Sequence, residues 1–336
     1  MKKGTMWMVR AGKKGEYFRF FQEKNLIAIG LPKVGDLKML KEESKVREKI
    51  EEVYSFDSAY VTGKATKRLY KFYSEIKNGD WLITYDNDSR EYLVGQVANN
   101  SGYYFSDLDD EYPSLVHRRN VEWEKDKKIS RDILADITKN SLGSLMTLFK
   151  IDGEPKEDIF RQMKDGQKAL SPLDVDDSVV EDEGVSQVDM VYESVKDKIA
   201  RISPRNMEHL AAALFRAMNL VAVVTPKTKD GGYDVYASPD GLMMEEPRVC
   251  AEVKHRPKDS ISSGEMRNFI QAKRQARGVY ISTGGFSPEA ITEARNSEIT
   301  TLNLEQFAEL IIKHYDNFDI EGRMLLPMQK LYIPIG

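Results

Sequence analysis

The stretch that runs on from Ser171 as PLDVDDSVVEDEGVSQVD, ending at Asp189, is rich in acids and holds no lysine or arginine. It has no apolar periodicity with which to bury a face, so it reads as a linker. A 336-residue chain divided there leaves two pieces of ordinary domain size, each able to bury its own core. Charge follows the same division. Residues 1–150 carry +4, residues 151–190 carry −8 and residues 191–336 are neutral, within a net charge of −4. The acidity belongs to the middle segment and excludes no polyanionic partner for either flank, because such binding depends on local patches.

The single cysteine, Cys250, excludes an intrachain disulfide framework and a cysteine-rich zinc site. Set between Val249 and Ala251, it reads as a buried small hydrophobe. The opening MKKGTMWMVRAGKKG has no long apolar run and reads as no signal peptide. No stretch approaches the roughly 20 apolar residues that span a bilayer. A cytoplasmic location with no membrane partner is expected.

In the first part, residues 6–11 and Asn25–Leu31 are predicted strands around a short helix, Tyr17–Glu23. Asp36 is a predicted N-cap for a charged helix running to Tyr54. A second helix, Thr62–Ile76, carries Ala65, Leu69, Phe72 and Ile76 at helical spacing. Asn78-Gly79-Asp80 turns into the strand WLITYD; EYLVGQV and Val116–Trp123 are further strands, and Lys139–Phe149 reads as a closely packed helix. The implied plan is an α+β domain over residues 1–151, then a polar helix and the acidic linker over 152–190.

From residue 191 helices and strands alternate: helix Asn206–Met218, strands Leu220–Thr225, Tyr233–Ala237 and Arg248–Lys254, and helix Ser263–Arg277. Strand Gly278–Ser282, helix Pro288–Asn296, strand Ile299–Leu302 and helix Leu304–Tyr315 complete the pattern. The expected fold is α/β, a mixed sheet flanked by helices over residues 191–319, with a tail over 320–336. Within it, Asp234 follows a Gly-Gly turn, and Glu252-Val253-Lys254 ends the second strand of a hairpin. The period of two puts Glu252 and Lys254 on one sheet face; Val253 and Cys250 are assigned to the other, apolar side. Two carboxylates on neighbouring strands suit a hard divalent cation. The adjacent ammonium suits positioning a water or balancing charge at a phosphorus centre.

This second part resembles the Mrr-type branch of the PD-(D/E)xK restriction endonuclease fold. The resemblance rests on Met207-Glu208-His209-Leu210, where the family usually has Phe-Glu, and on Asp230-Gly231-Gly232-Tyr233-Asp234, matching its D-G-G-x-D turn. It rests also on Glu252-Val253-Lys254, where many members carry glutamine first, and on GVYISTGGFSPEA at residues 278–290. The resemblance implies a Mg²⁺-dependent DNA endonuclease, with Mn²⁺ as a substitute. In that reading Asp234, Glu252 and the Val253 carbonyl hold the metal, and Lys254 orients a water or stabilises the transition state. Glu208 completes the shell or holds Lys254. A type IV-like, modification-dependent restriction or phage-defence role on double-stranded DNA is implied. Double-strand scission needs two sites, so a homodimer or higher homo-oligomer is expected, and a partner protein is left open. The same site would serve a structure-selective repair or junction nuclease; an inactive nuclease fold that only binds DNA is the third reading.

Gly79–Tyr85 (GDWLITY), Tyr92–Val97 (YLVGQV) and the Trp7 strand resemble the paired strands of EVE and other PUA-like domains. That resemblance implies a reader holding an extruded modified base between aromatic faces. Trp7, Trp81 and Tyr85 are the candidate walls, with Tyr103-Tyr104. Candidate phosphate contacts are Lys13, Lys14, Arg118 and Arg119 in the first part and Lys273, Arg274 and Arg277 in the second. Gln271-Ala272-Lys273 spells an active-site tripeptide of some family members, but it falls in a predicted helix, where residues two apart do not share a face. It is assigned no catalytic role. His255 reads as structural, and Thr283-Gly284-Gly285 reads either as a phosphate-facing set of amides or as a tight turn. In this setting the acidic run has a second reading, as a DNA mimic masking the nuclease face. Neutralising Asp174, Asp176, Asp177, Glu181, Asp182 and Glu183 would then raise basal cleavage; the linker reading is preferred.

Overall fold

A computed structural model describes residues 4–165 and 187–330, apart from residues 57, 100–101, 107–110, 145, 227–231, 241, 243 and 274. The acidic run up to residue 186, Asp230, Gly231 and Arg274 lie outside the described residues. The chain divides into two compact units, Met1–Met190 and Val191–Gly336. Among the described residues no helix is long and apolar enough to cross a membrane.

In the first unit β1 (Met6–Val9) leads through a 3-10 turn into α1 (Phe18–Lys24) and β2 (Leu26–Ile29). The helices α2 (Leu37–Leu40), α3 (Glu43–Val53) and α4 (Ala59–Ser74) follow. Then come β3 (Trp81–Asp86), β4 (Glu91–Val97), β5 (Tyr104–Phe105), β6 (His117–Trp123) and β7 (Ile129–Ser130). The helix α5 (Asp136–Leu142), β8 (Leu148–Ile151) and α6 (Gly153–Asp165) complete it. The sheet runs β2-β6-β4-β3-β1-β8, with β1 parallel to β3 and antiparallel to β8. Strand alternation divides the apolar residues between two cores. Trp7, Val9, Leu82 and Leu93 pack with α1, α3 and α4, whereas Met6, Met8, Trp81, Ile83, Tyr85 and Tyr92 pack with α5 and α6.

Two predicted helices are broken. Asp36 does cap a helix, its side chain accepting from the Lys38 amide, but Lys41 sits at φ 59 and ends the helix after one turn. The Lys139–Phe149 segment ends its helix at Leu142, and Leu148–Ile151 becomes a strand because the edge of β1 offers it backbone partners.

The helix α7 (Gln187–Ala200) runs across the division, and the second unit goes on with α8 (Pro204–Ala217), β9 (Val221–Val224), β10 (Val235–Ser238) and β11 (Val249–Lys254). It continues through α9 (Ser263–Ala272), β12 (Arg277–Ser282), α10 (Pro288–Asn296), β13 (Ile299–Asn303), α11 (Leu304–His314) and α12 (Ile320–Leu325). The sheet order is β13-β12-β11-β10-β9, parallel from β13 to β11 and antiparallel from β11 to β9. Leu210, Leu214, Phe307 and Ile311 from α8 and α11 cover one face against Val235, Ala251 and Val253. Met266, Phe269, Ala290 and Ala294 from α9 and α10 cover the other against Tyr280. This is the expected α/β sheet with helices on both faces. The segment after residue 319, read from sequence as a tail, starts as α12, capped by Asp319 and tied to α8 by Arg216 pairing with Asp319 and Glu321.

Candidate active site

The hairpin β10–β11 pairs Val235 with Ala251 and Tyr236 with Cys250. One step further, the Asp234 amide donates to the Ala251 carbonyl at 2.8 Å, and an Asp234 carboxylate oxygen accepts from the Val253 amide, also at 2.8 Å. The aspartate is thereby aimed across the hairpin at the level of Glu252, whose carboxylate pairs with the Lys254 ammonium. Its approach depends on Gly232. That residue has φ +63, and a Cβ on it would lie 2.3 Å from the Ala272 Cβ at the end of α9. On the other side Thr225 donates its amide to the Asp234 carbonyl at 2.9 Å and its hydroxyl to the Tyr233 carbonyl at 2.8 Å.

Glu252 and Lys254 have side chains 13% and 31% exposed, so the pair sits at the rim of the core rather than inside it. Burial raises the Glu252 pKa above the ordinary carboxylate range, the Asp234 charge adds to that, Lys254 opposes it, and Glu208 adds a smaller increment. Tyr280, opposite Glu252 on β12, is raised by burial first and by Glu252 second. Ser282, opposite Lys254, is buried, and its hydroxyl finds no partner among the described residues. These residues gather at the carboxyl ends of parallel strands, where open α/β sheets place their ligands.

Among the described residues no three His, Cys, Asp or Glu side chains form a ready cage for a metal ion. What the hairpin offers is two carboxylates, one with its charge destabilised by burial and by its neighbour, and the Val253 carbonyl. That hard-oxygen set fits a cation such as Mg²⁺, which keeps several waters and takes few protein ligands.

Glu208, with a side chain 12% exposed, reaches the edge of this site from α8, but its carboxylate pairs with Arg205 rather than with Lys254. Cys250 does not share the apolar side of Val253. It has the parity of Glu252 and Lys254, while Val249, Ala251 and Val253 face α8 and α11. It is nonetheless buried, and burial pushes its thiol up to about 11. Lys273 caps α9 and turns its ammonium onto the Ala276 carbonyl at 3.2 Å, which accounts for the Gln271-Ala272-Lys273 tripeptide without chemistry. Arg277, Lys13 and Lys14 are exposed. The Thr283 amide is used internally, donating to the Lys254 carbonyl at 3.1 Å.

The proposed base walls are overturned. Trp7, Trp81 and Tyr85 are 1%, 3% and 7% exposed, and Trp7 faces one core of the first unit while Trp81 and Tyr85 face the other. The Trp7 indole donates to buried Asp80 at 3.1 Å, which also accepts from the Thr5 and Lys77 amides. Tyr103 is buried on His117, and Tyr104 donates to Asn120. Arg118 and Arg119 are buried too, bonded to the carbonyls of Leu115, Phe72 and Tyr73. Sequence reasoning missed Arg205, Tyr280 and Ser282. Only Arg205 left a signal, its i,i+3 spacing from Glu208.

The second unit is thus a helix-flanked mixed sheet with acid, acid and lysine on one hairpin. Residues 199–311 match the Mrr-type restriction endonuclease catalytic family, and the second unit carries a domain of that family. Residues 7–152 match a domain family of unknown function, DUF8426. No curated protein matches the chain. Among solved structures, a protein of unknown function designated AF1548 is 18% identical with a TM-score of 0.26, over 30% of this chain. The chain spans 58% of the length of that protein. The MspJI restriction endonuclease, solved with a 27-mer oligonucleotide, is 12% identical with a TM-score of 0.32, over 82% of this chain and 69% of its own. The DNA modification-dependent restriction endonuclease AspBHI is 11% identical with a TM-score of 0.33, over 80% and 74%.

Proposed function

We propose that this chain is a Mg²⁺-dependent DNA endonuclease, with Mn²⁺ able to substitute, that restricts double-stranded DNA carrying modified bases in the cytoplasm. The observation that carries the reading is the opposition of Asp234 and Glu252 across one hairpin, with Lys254 paired to Glu252. Asp234, Glu252 and the Val253 carbonyl are the groups that would hold the cation. When bound, it supplies Lewis acidity toward a phosphate oxygen.

The chain's own residues do the rest. The Val253 amide fixes one oxygen of Asp234, so the carboxylate needs no reordering when a ligand arrives. Lys254, the more exposed member of its pair, supplies the ammonium that meets charge developing on the scissile phosphate. Exposed Arg277, Lys13 and Lys14 are assigned salt-sensitive phosphate contacts. The first unit is assigned the reading of the modified base. Its half-buried aromatics, such as Tyr54 and Phe56 stacked at 5.6 Å, replace the buried tryptophans as candidate surfaces. Cutting both strands takes two such sites, hence a homodimer.

A digest of methylated, hydroxymethylated and unmodified duplex and of a branched junction, each with Mg²⁺, tests this. Modified duplex should be cut by the wild type and by neither Asp234→Asn nor Lys254→Ala, with both variants still binding it. Equal cutting of unmodified duplex would overturn modification dependence, and cutting of the junction alone would make the enzyme structure-selective. Activity retained in Asp234→Asn would overturn the site.

A further inference from the structure

Arg205 stands in the first turn of α8, the end at which the helix dipole disfavours a cation. Two contacts hold it there. Its guanidinium pairs with Glu208 one turn on, and the same nitrogen donates to the Thr225 carbonyl at 3.3 Å. Thr225 is the residue whose amide holds the Asp234 backbone at 2.9 Å. One side chain therefore ties the helix acid to the strand beside the hairpin acid, and it does so with Glu208 already engaged.

The charges in the site sharpen the point. Three carboxylates, Asp234, Glu252 and Glu208, face two resident cations, Lys254 on Glu252 and Arg205 on Glu208. The sum is one negative charge. An unpaired Glu208 would give the site a third carboxylate for a second divalent cation, and its pairing with Arg205 takes that carboxylate away. No third acid joins Asp234 and Glu252 in a cage among the described residues, consistent with Glu208 being turned aside.

We propose that Arg205 is a positioning residue which, by holding Glu208, keeps that carboxylate out of the cation's shell and limits the site to one divalent cation per chain. The proposal rests on the nuclease reading of the hairpin. A guanidinium suits the task because it keeps its charge at any working pH and bonds a carboxylate and a carbonyl together.

The test counts Mn²⁺ bound by the full-length chain without DNA, from the loss of the free-ion electron paramagnetic resonance signal. One equivalent is expected for the wild type, for Arg205→Lys and for Glu208→Gln. Two are expected for Arg205→Gln, falling back to one in Arg205→Gln/Glu208→Gln. Two equivalents in the wild type, or one in a folded Arg205→Gln, would overturn the proposal. Were Arg205→Gln to misfold, Glu208→Gln decides alone, because loss of its equivalent would make Glu208 a ligand. Binding that survives in Asp234→Asn, or is absent from the wild type, would remove the nuclease reading itself and this inference with it.

Discussion

The core of the first unit and the hairpin of the second treat buried charge in opposite ways. In the first, Arg119 is sunk in the core with its donors on the Phe72 and Tyr73 carbonyls at 2.9 and 2.7 Å, in the last turn of α4. Those carbonyls lack intrahelical partners and carry the negative end of the dipole, so the guanidinium finishes the helix. Burial pulls its pKa down to about 10, which still leaves it charged at neutral pH. Lys196 plays the same part in the second unit, pinned between Glu193 of α7 and Glu305 of α11. The hairpin differs, because burial first, and the neighbouring Asp234 and Glu208 carboxylates after it, raise the Glu252 pKa. A buried charge with its complement satisfied belongs to the architecture. Like charges gathered at a strand end, against their own electrostatics, mark the site.

That contrast can be broken by mutation, and the largest effect belongs to the site. Lys254→Ala should lower the cleavage rate by about a thousandfold with no drop in melting temperature; a parallel loss of stability would make the lysine architectural. Arg119→Met should do the reverse. It should cost about 4 kcal/mol in urea unfolding of the first unit, because a buried charge-assisted set of bonds is removed, while leaving the Mn²⁺ equivalent unchanged.

His117 gives a pH test of the same unit. It is fully buried, bonded to the Tyr103 hydroxyl at 2.8 Å, and burial lowers its pKa to about 4. As pH falls from about 6.5, the ordinary value, the unfolded chain takes up a proton that the folded chain refuses. Stability should therefore be full above about 6.5 and fall toward about 4, by about 3 kcal/mol at most. His117→Asn should flatten that limb, and an unchanged limb would assign it to other groups. The smallest effect expected is at Gly284, where a Cβ would lie 2.3 Å from the carbonyl oxygens of Arg256 and Asp259. Gly284→Ala must displace the loop that follows Lys254, at about 2 kcal/mol. A cleavage loss larger than the stability loss would show that this loop also sets the lysine.

Much of the second unit was legible because its cues are local. A Gly-Gly turn, a period of two and helical spacing each report on a few adjacent residues, and they located Asp234, Glu252 and Lys254 on one hairpin. Parity was legible too, and Cys250 was misassigned only where that period was not followed through. The first unit misled where the question was not local. Trp7 and Trp81 look alike as strand aromatics, yet the pairing of Met6 with Trp81 sends them to opposite faces, and helices cover both. An apolar run such as Leu148–Ile151 fits helix or strand equally until a neighbouring edge offers it hydrogen bonds.

The amino-acid order by itself determined which residues could carry charge, where the chain must turn and which faces are apolar, since these follow from side-chain chemistry and backbone period. Only the tertiary structure decided which charges meet. The tie from Arg205 to Thr225 and the burial of the first unit's arginines depend on strand register and helix placement between distant residues. Those distances are set by packing the whole core, and no short window of sequence contains them.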